Sequence, residues 1–214
     1  MFIFEKGLLK LLTNHSKYML TQNSELRAQA LQSLRHKWMK SALTILVYTL
    51  LSGALNLLPF INYLLIFLVG LPLGWGLNVL FLDSFRGEEI RVEGILDGFK
   101  DYGRILGTTF LVYLYVALWS LLLIIPGIIK GYSYSMTAFI LKDDPTIKYN
   151  EAIEKSMAMM DGNKMKLFLL HLSFIGWILL SCITLGIGFF FLHPYMKSAE
   201  AAFYEDLKKE DSEI

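Results

Sequence analysis

The chain has 214 residues, 55% of them hydrophobic and 18% charged, with a formal net charge of +1. Soluble domains average about 45–50% apolar and about 25% charged, so this composition excludes disorder and collagen-like repeats and points to a chain that meets lipid. The single cysteine, Cys182, excludes an internal disulfide framework, and the near balance of charge supplies no field for nucleic acid.

The N-terminal stretch Met1-Phe2-Ile3-Phe4-Glu5-Lys6 lacks a basic start, and the leucines at 8, 9, 11 and 12 are too brief for a signal-peptide core. Residues 1–23 therefore read as a retained cytoplasmic or interfacial segment. Leu26, Ala30, Leu34 and Trp38 then recur every four residues and predict an amphipathic helix from about 24 to 39. Residues 41–82 carry no Lys, Arg, Asp or Glu. A spanning helix needs about 20 apolar residues, so this run holds two spans, broken at Asn56–Asn62, where Pro59 favours a connection.

Ile95, Phe99 and Tyr102 predict a second amphipathic helix ahead of Arg104, and the uncharged residues 105–129 hold one span ending at Pro126-Gly127. Residues 128–141 contain only Lys130 and are short for a span. Asp144-Pro145 reads as a cap with proline at the first helical position. Tyr149, Ile153, Met157 and Met160 form a third stripe, which Gly162 ends. Lys164 and Lys166 mark the interface. Residues 167–196 suit two helices only if Thr184–Gly188 turns between them and the second continues through Ala199–Tyr204.

Basic residues choose between four spans and six. With six, the cytoplasmic pieces 1–40, 83–104, 142–166 and 197–214 hold 19 of the 20 Lys and Arg, and only Lys130 faces out. With four, residues 130–166 face out and carry six basic side chains to the wrong side. The expected architecture is all-α: six transmembrane helices in three hairpins, each preceded by a cytoplasmic amphipathic surface helix, with both termini in the cytosol. It divides into an N-terminal segment (1–23), a membrane domain (24–207) and a charged tail (208–214). The second and third units align at an offset of 58, matching Glu93 to Glu151, Ile95 to Ile153, Phe99 to Met157 and Trp119 to Trp177. Parallel repeats and chance similarity of amphipathic helices both account for this.

Several separated motifs resemble one family. They are Ile125-Pro126-Gly127-Ile128-Ile129-Lys130-Gly131-Tyr132-Ser133-Tyr134-Ser135-Met136, Asp143-Asp144-Pro145, Glu151-Ala152-Ile153, Ser156, Met160 with Gly162 and Lys164, and Leu172–Trp177. Gly186-Ile187-Gly188, Pro194-Tyr195 and Phe203-Tyr204 complete the set. In this order they resemble the bacterial integral membrane family catalogued as domain of unknown function 975, over residues 24–207. The resemblance implies a multi-pass protein of the bacterial cell membrane and supplies no activity, cofactor or catalytic residue. A fainter likeness is to the membrane region of certain glycerophosphodiester phosphodiesterases, whose catalytic domain has no counterpart in this sequence.

The motifs read mainly as structure. Pro126-Gly127 is a helix end and outer reversal. The pairs Gly70/Gly74 and Gly127/Gly131 allow close backbone approach, and Pro194 kinks the last span. Trp38 fits the interfacial belt, whereas Trp119, Trp177 and Cys182 read as packed. No His-Glu-x-x-His, nucleophile elbow or phosphate loop occurs, so no catalytic residue, cofactor or metal is expected. His15 and His36 lie on the cytoplasmic side, and His171 and His193 read as hydrogen-bonded bundle histidines at different depths. Asp143 and Asp144 could suggest metal or acid–base work, but a helix N-cap is the simpler reading.

Lys197, Glu200 and Tyr195 make the candidate intramembrane polar site, since an ionisable residue at that depth is a functional hypothesis. Snorkelling of Lys197 from a short helix is the competing account. The expected function is non-enzymatic: a membrane scaffold, lipid-binding or accessory protein. The alternative is a small transporter or channel with a polar path at Lys197 and Glu200, together with Tyr113, Tyr132 and Tyr195. The expected partners are membrane lipids and other membrane proteins, with no nucleic acid, and no oligomeric state is implied.

Overall fold

The computed structural model of the protein describes residues 21–57 and 61–212. His15 and most of the expected N-terminal segment, together with Pro59, lie outside the described residues. Everything regular within them is helical. In chain order the helices are α1 (Asn23–Ser33), α2 (Trp38–Ala54), α3 (Asn62–Phe85), α4 (Tyr102–Leu122), α5 (Ile124–Asp143), α6 (Tyr149–Met159), α7 (Lys164–Ile183) and α8 (Phe189–Ser212). A 3-10 segment, Val92–Phe99, joins α3 to α4.

Five helices are long and apolar enough to cross a membrane: α2 with its terminal turn (Trp38–Leu57), α3, α4, α5 and α7. The expected sixth, α8, fails on composition, because Lys197, Glu200, Glu205 and Asp206 fall in its first 18 residues. Its middle and C-terminal part is instead enclosed by other helices. Ala199, Ala201, Ala202 and Phe203 are buried, and α1, α2 and α3 all pack on it. The small alanines let neighbours approach, so its polar residues meet protein rather than lipid.

Three long helices are irregular, and at each irregularity a side chain from elsewhere satisfies the freed backbone, as a water-free surrounding demands. A π turn occupies Ile66–Gly70 in α3, and the Tyr102 hydroxyl donates to the Leu68 carbonyl at 2.9 Å. At the break in α5 after Ser133, the Ser156 hydroxyl of α6 donates to the Ser133 carbonyl (2.9 Å) and accepts from the Met136 N–H (3.2 Å). In α7 the break falls at Ser173, whose carbonyl accepts from the Arg27 guanidinium of α1 at 3.3 Å. The segments that carry the expected apolar stripes thus also carry the groups that complete the long helices.

The first stripe is borne out in part: Leu26, Ala30 and Leu34 are fully buried, but the helix expected to run to about 39 ends at Ser33, and Trp38 opens α2 and is half-buried. In the second, the expected Ile95–Phe99–Tyr102 helix gives way to a 3-10 turn that buries Gly94, Ile95 and Gly98. Backbone contact causes this. A Cβ on Gly98 would lie 2.1 Å from the Pro72 carbonyl oxygen, and one on Gly76 would lie 2.1 Å from that of Ile95. Two glycines, one from each side, thus bring α3 and the 3-10 segment into direct contact. The offset of 58 carries burial with it: Gly94, Ile95 and Gly98 are buried like Ala152, Ile153 and Ser156, and Glu93 and Glu151 are both exposed.

Several local expectations change. The reversal expected at Pro126-Gly127 falls instead at Leu123, whose extended backbone separates α4 from α5, and Pro126 stands in the first turn of α5, where no N–H is needed. Gly127 does permit a close crossing, since a Cβ there would lie 2.1 Å from the Ser120 hydroxyl, but Gly131 faces open space and Gly74 only ordinary contact. Asp144 does not cap a helix. Thr146, two residues on, offers both its N–H (3.0 Å) and its hydroxyl (2.6 Å), so Asp144-Pro145 forms a turn and α6 begins at Tyr149. Those hydrogen bonds hold the Asp144 carboxyl below the usual carboxylate range. Gly162 ends α6 with φ +75°, as expected.

Cys182 is exposed, because the inward face of α7 runs through Leu167, Leu170, Phe174 and Ser181. Trp119 and Trp177 are also substantially exposed rather than packed. The Lys130 ammonium lies 5.2 Å from the Trp119 ring centre, a cation–π contact that keeps that ring at the surface.

Candidate functional site

On α8, positions 193, 197 and 200 recur at four and three residues, so His193, Lys197 and Glu200 share one face. Lys197 is eight residues into the helix, about 12 Å from its start. Its ammonium meets one Glu200 oxygen, Oε2, at 2.8 Å. The other, Oε1, lies 3.1 Å from His171 Nε2 of α7, and His171 Nδ1 lies 3.3 Å from the Tyr132 hydroxyl of α5. One tautomer satisfies the whole chain: Nε2–H donates to Glu200, and Nδ1 accepts from Tyr132. The side chains of Glu200 and Lys197 are 18% and 21% exposed, so the pair is held inside the fold rather than extended to a surface.

Tyr195 does not join them. Two residues from Lys197 along the helix, it faces the other side, where it meets Phe174 edge-to-face at 4.9 Å. Its place is taken by His171 and Tyr132. The sequence signal for that closure was the i, i+4, i+7 spacing of His193, Lys197 and Glu200; nothing local identified which helix answers it. Pro194 stands inside α8 beside this group, removing an N–H from the ladder.

Two of the cavities beside α8 bear on the candidate site. The first, about 250 Å³, is lined by His193 and Lys197 together with Tyr48 of α2, Trp75 and Asn78 of α3, and Thr109 of α4. Trp75 donates its indole N–H to the Ala138 carbonyl of α5 at 3.1 Å, fixing that wall. The second, about 400 Å³, is a mainly apolar groove between α1, α2, α7 and α8, bordered by Leu31, Trp38, Trp177, Leu180, Phe191 and Tyr195. Leu31, Trp177, Leu180 and Phe191 are all exposed as well, so the groove opens onto an apolar outer surface.

A separate ionic cluster ties the C-terminal ends of α3 and α5 to α8. Arg86 binds Asp143 through two nitrogens (2.6 and 2.8 Å) and Glu205 at 2.6 Å. Asp143 also accepts from Lys208 (2.6 Å) and Tyr204 (3.0 Å), and Lys142 meets Asp83 at 2.8 Å. The Asp143 hydrogen bond, above all, holds the proton on Arg86 more firmly than usual. The adjacent carboxylates are therefore divided, Asp143 binding helices together and Asp144 making its turn. Among the described residues no group of three His, Cys, Asp or Glu side chains could hold a metal ion.

A family model described as a protein of unknown function (DUF975) matches residues 120–211, from the end of α4 through α8. That match takes in Tyr132, His171, His193, Lys197 and Glu200, and the resemblance read from the sequence holds over this part. No curated protein and no solved structure matches the chain.

Proposed function

We propose that this is a multi-pass protein of a bacterial cytoplasmic membrane, with both termini in the cytosol, that works without catalysis by holding lipid against a helical scaffold. Six membrane segments in three hairpins make up the scaffold, α8 serving as the sixth. Its charges do not oppose insertion, because Lys197, Glu200 and His171 compensate one another inside neighbouring helices. The confinement of 19 of 20 basic residues to one side supports the topology. The non-enzymatic part rests on the sequence, where no nucleophile–base pair can be named. In a Cys182→Ser background, because Cys182 is itself exposed, cysteines placed at positions 154 and 158 should label only after cells are permeabilised. Labelling from outside intact cells would overturn the six-segment arrangement.

The observation that carries lipid binding is the apolar groove of about 400 Å³, which opens on exposed apolar surface. A membrane-facing cleft of that kind accepts an acyl chain at little desolvation cost. Native mass spectrometry of the full chain extracted with its own lipid should show phospholipid retained. Thr184→Phe, which fills the groove, should release it. Equal retention by both proteins would remove the lipid-binding reading.

A second reading, a small transporter with its path at Lys197 and Glu200, is favoured by one observation. The cavity beside Lys197 is partly polar and is walled by α8 together with the apolar helices α2, α3, α4 and α5.

A further inference from the structure

We infer that the cavity of about 250 Å³ between α2, α3, α4 and α8 is a binding site for a small organic anion, a carboxylate with a short apolar body. Lys197 is its one charged lining residue among the described residues, and no carboxylate lines it. Glu200 engages one of the three donors of the ammonium, leaving capacity for a ligand. His193, one turn away on the same face, forms no hydrogen bond among the described residues, and neither do the hydroxyls of Tyr48 and Thr109. Three donor-capable groups without a protein acceptor, those of His193, Tyr48 and Thr109, thus face one space beside the ammonium that Glu200 only partly engages.

The sign and the shape of the ligand follow. An anion gains a charge-assisted hydrogen bond from Lys197, whereas a cation would meet an ammonium with no counter-charge on the cavity wall. Leu71, Leu77, Ala138 and the Trp75 ring supply apolar wall beside the polar groups, so a ligand with an apolar part is matched. The volume lies below the roughly 300–1,000 Å³ of drug-sized sites but above the roughly 150 Å³ that takes benzene, so a short-chain carboxylate fits with room to spare. Glu200 need not be abandoned when the ammonium turns to the ligand, because His171 still donates to it. Binding at this site requires neither lipid in the groove nor conduction through the bundle.

Saturation-transfer NMR on the full-length protein in detergent tests this, with butyrate as the probe and butyramide as its neutral counterpart. Transfer to butyrate should be strong, and transfer to butyramide about tenfold less, the loss expected for one charge-assisted bond. Lys197→Met/Glu200→Gln, which removes the pair together, should abolish the butyrate signal, and Lys208→Met, at the distant ionic cluster, should keep it. Ala138→Leu fills the cavity without touching a charge and should also abolish it, which covers failure of the double variant to fold. Equal transfer to both probes, or transfer that persists in either cavity variant while folded, overturns the assignment. Butyrate that binds but does not cross proteoliposome membranes supports the site and removes only the transporter reading.

Discussion

Glu200→Gln should cost this protein about 3–5 kcal/mol, the loss expected when one member of a buried ion pair is removed and its partner keeps its charge. The carboxylate answers Lys197 at 2.8 Å and His171 at 3.1 Å, so the amide leaves an ammonium without a counter-ion in an enclosed part of the fold. Thermal unfolding in detergent, followed by tryptophan fluorescence, measures the change. The mechanism has its own signature in a double-mutant cycle. Lys197→Met added to Glu200→Gln should recover much of the loss, because the remaining groups are then neutral. A snorkelling Lys197 with no structural dependence on Glu200 gives the opposite result: a single variant within about 0.5 kcal/mol of wild type, as for exposed pairs.

Gly76→Ala should be nearly as damaging through a different term. Its Cβ would lie 2.1 Å from the Ile95 carbonyl oxygen and 2.8 Å from the carbonyl carbon. Neither is the end of a flexible side chain, so the 3-10 segment must move away from α3 or the substitution is not accommodated. Overpacking costs about 1–3 kcal/mol where side chains can adjust, and a backbone collision places this variant at or above the top of that range. Gly98→Ala, on the other side of the same contact, should behave alike. Gly53→Ala, which meets nothing within 4 Å, should leave the unfolding temperature unchanged. If Gly76→Ala and Gly53→Ala unfold together, the close approach of α3 and the 3-10 segment does not exist.

The two variants probe features of unequal visibility. The pairing of Lys197 with Glu200 is a local consequence of helical spacing and could be read before any fold was known. The contact at Gly76 could not, because it joins residues about twenty apart in sequence through a backbone that has to pack first. Gly70/Gly74 and Gly127/Gly131 drew attention by their spacing of four, yet only Gly127 of these meets its neighbour closely. Spacing marks where a small face exists, whereas the partner's position decides whether that face is used. Asp144 teaches the same point at short range: a carboxylate before a proline suits a helix cap, but Thr146 supplies two nearer donors and makes a turn instead.

Uncharged runs, apolar stripes and the distribution of Lys and Arg determined by themselves that the chain is helical and that its long apolar segments suit a bilayer, because desolvation of charge is a property of each segment. The turn at Thr184–Gly188 and the stop at Gly162 were equally local, since each needs only a residue that tolerates positive φ or a nearby left-handed one. That Tyr195 faces away from Lys197 follows from helical spacing too, whereas tertiary structure alone decided that α8 is enclosed and that His171 and Tyr132 complete the polar chain. It also decided that Ser156, Arg27 and Tyr102 satisfy the broken backbones of other helices. Those are pairings between distant segments, and a buried polar atom takes whichever partner packing brings within reach.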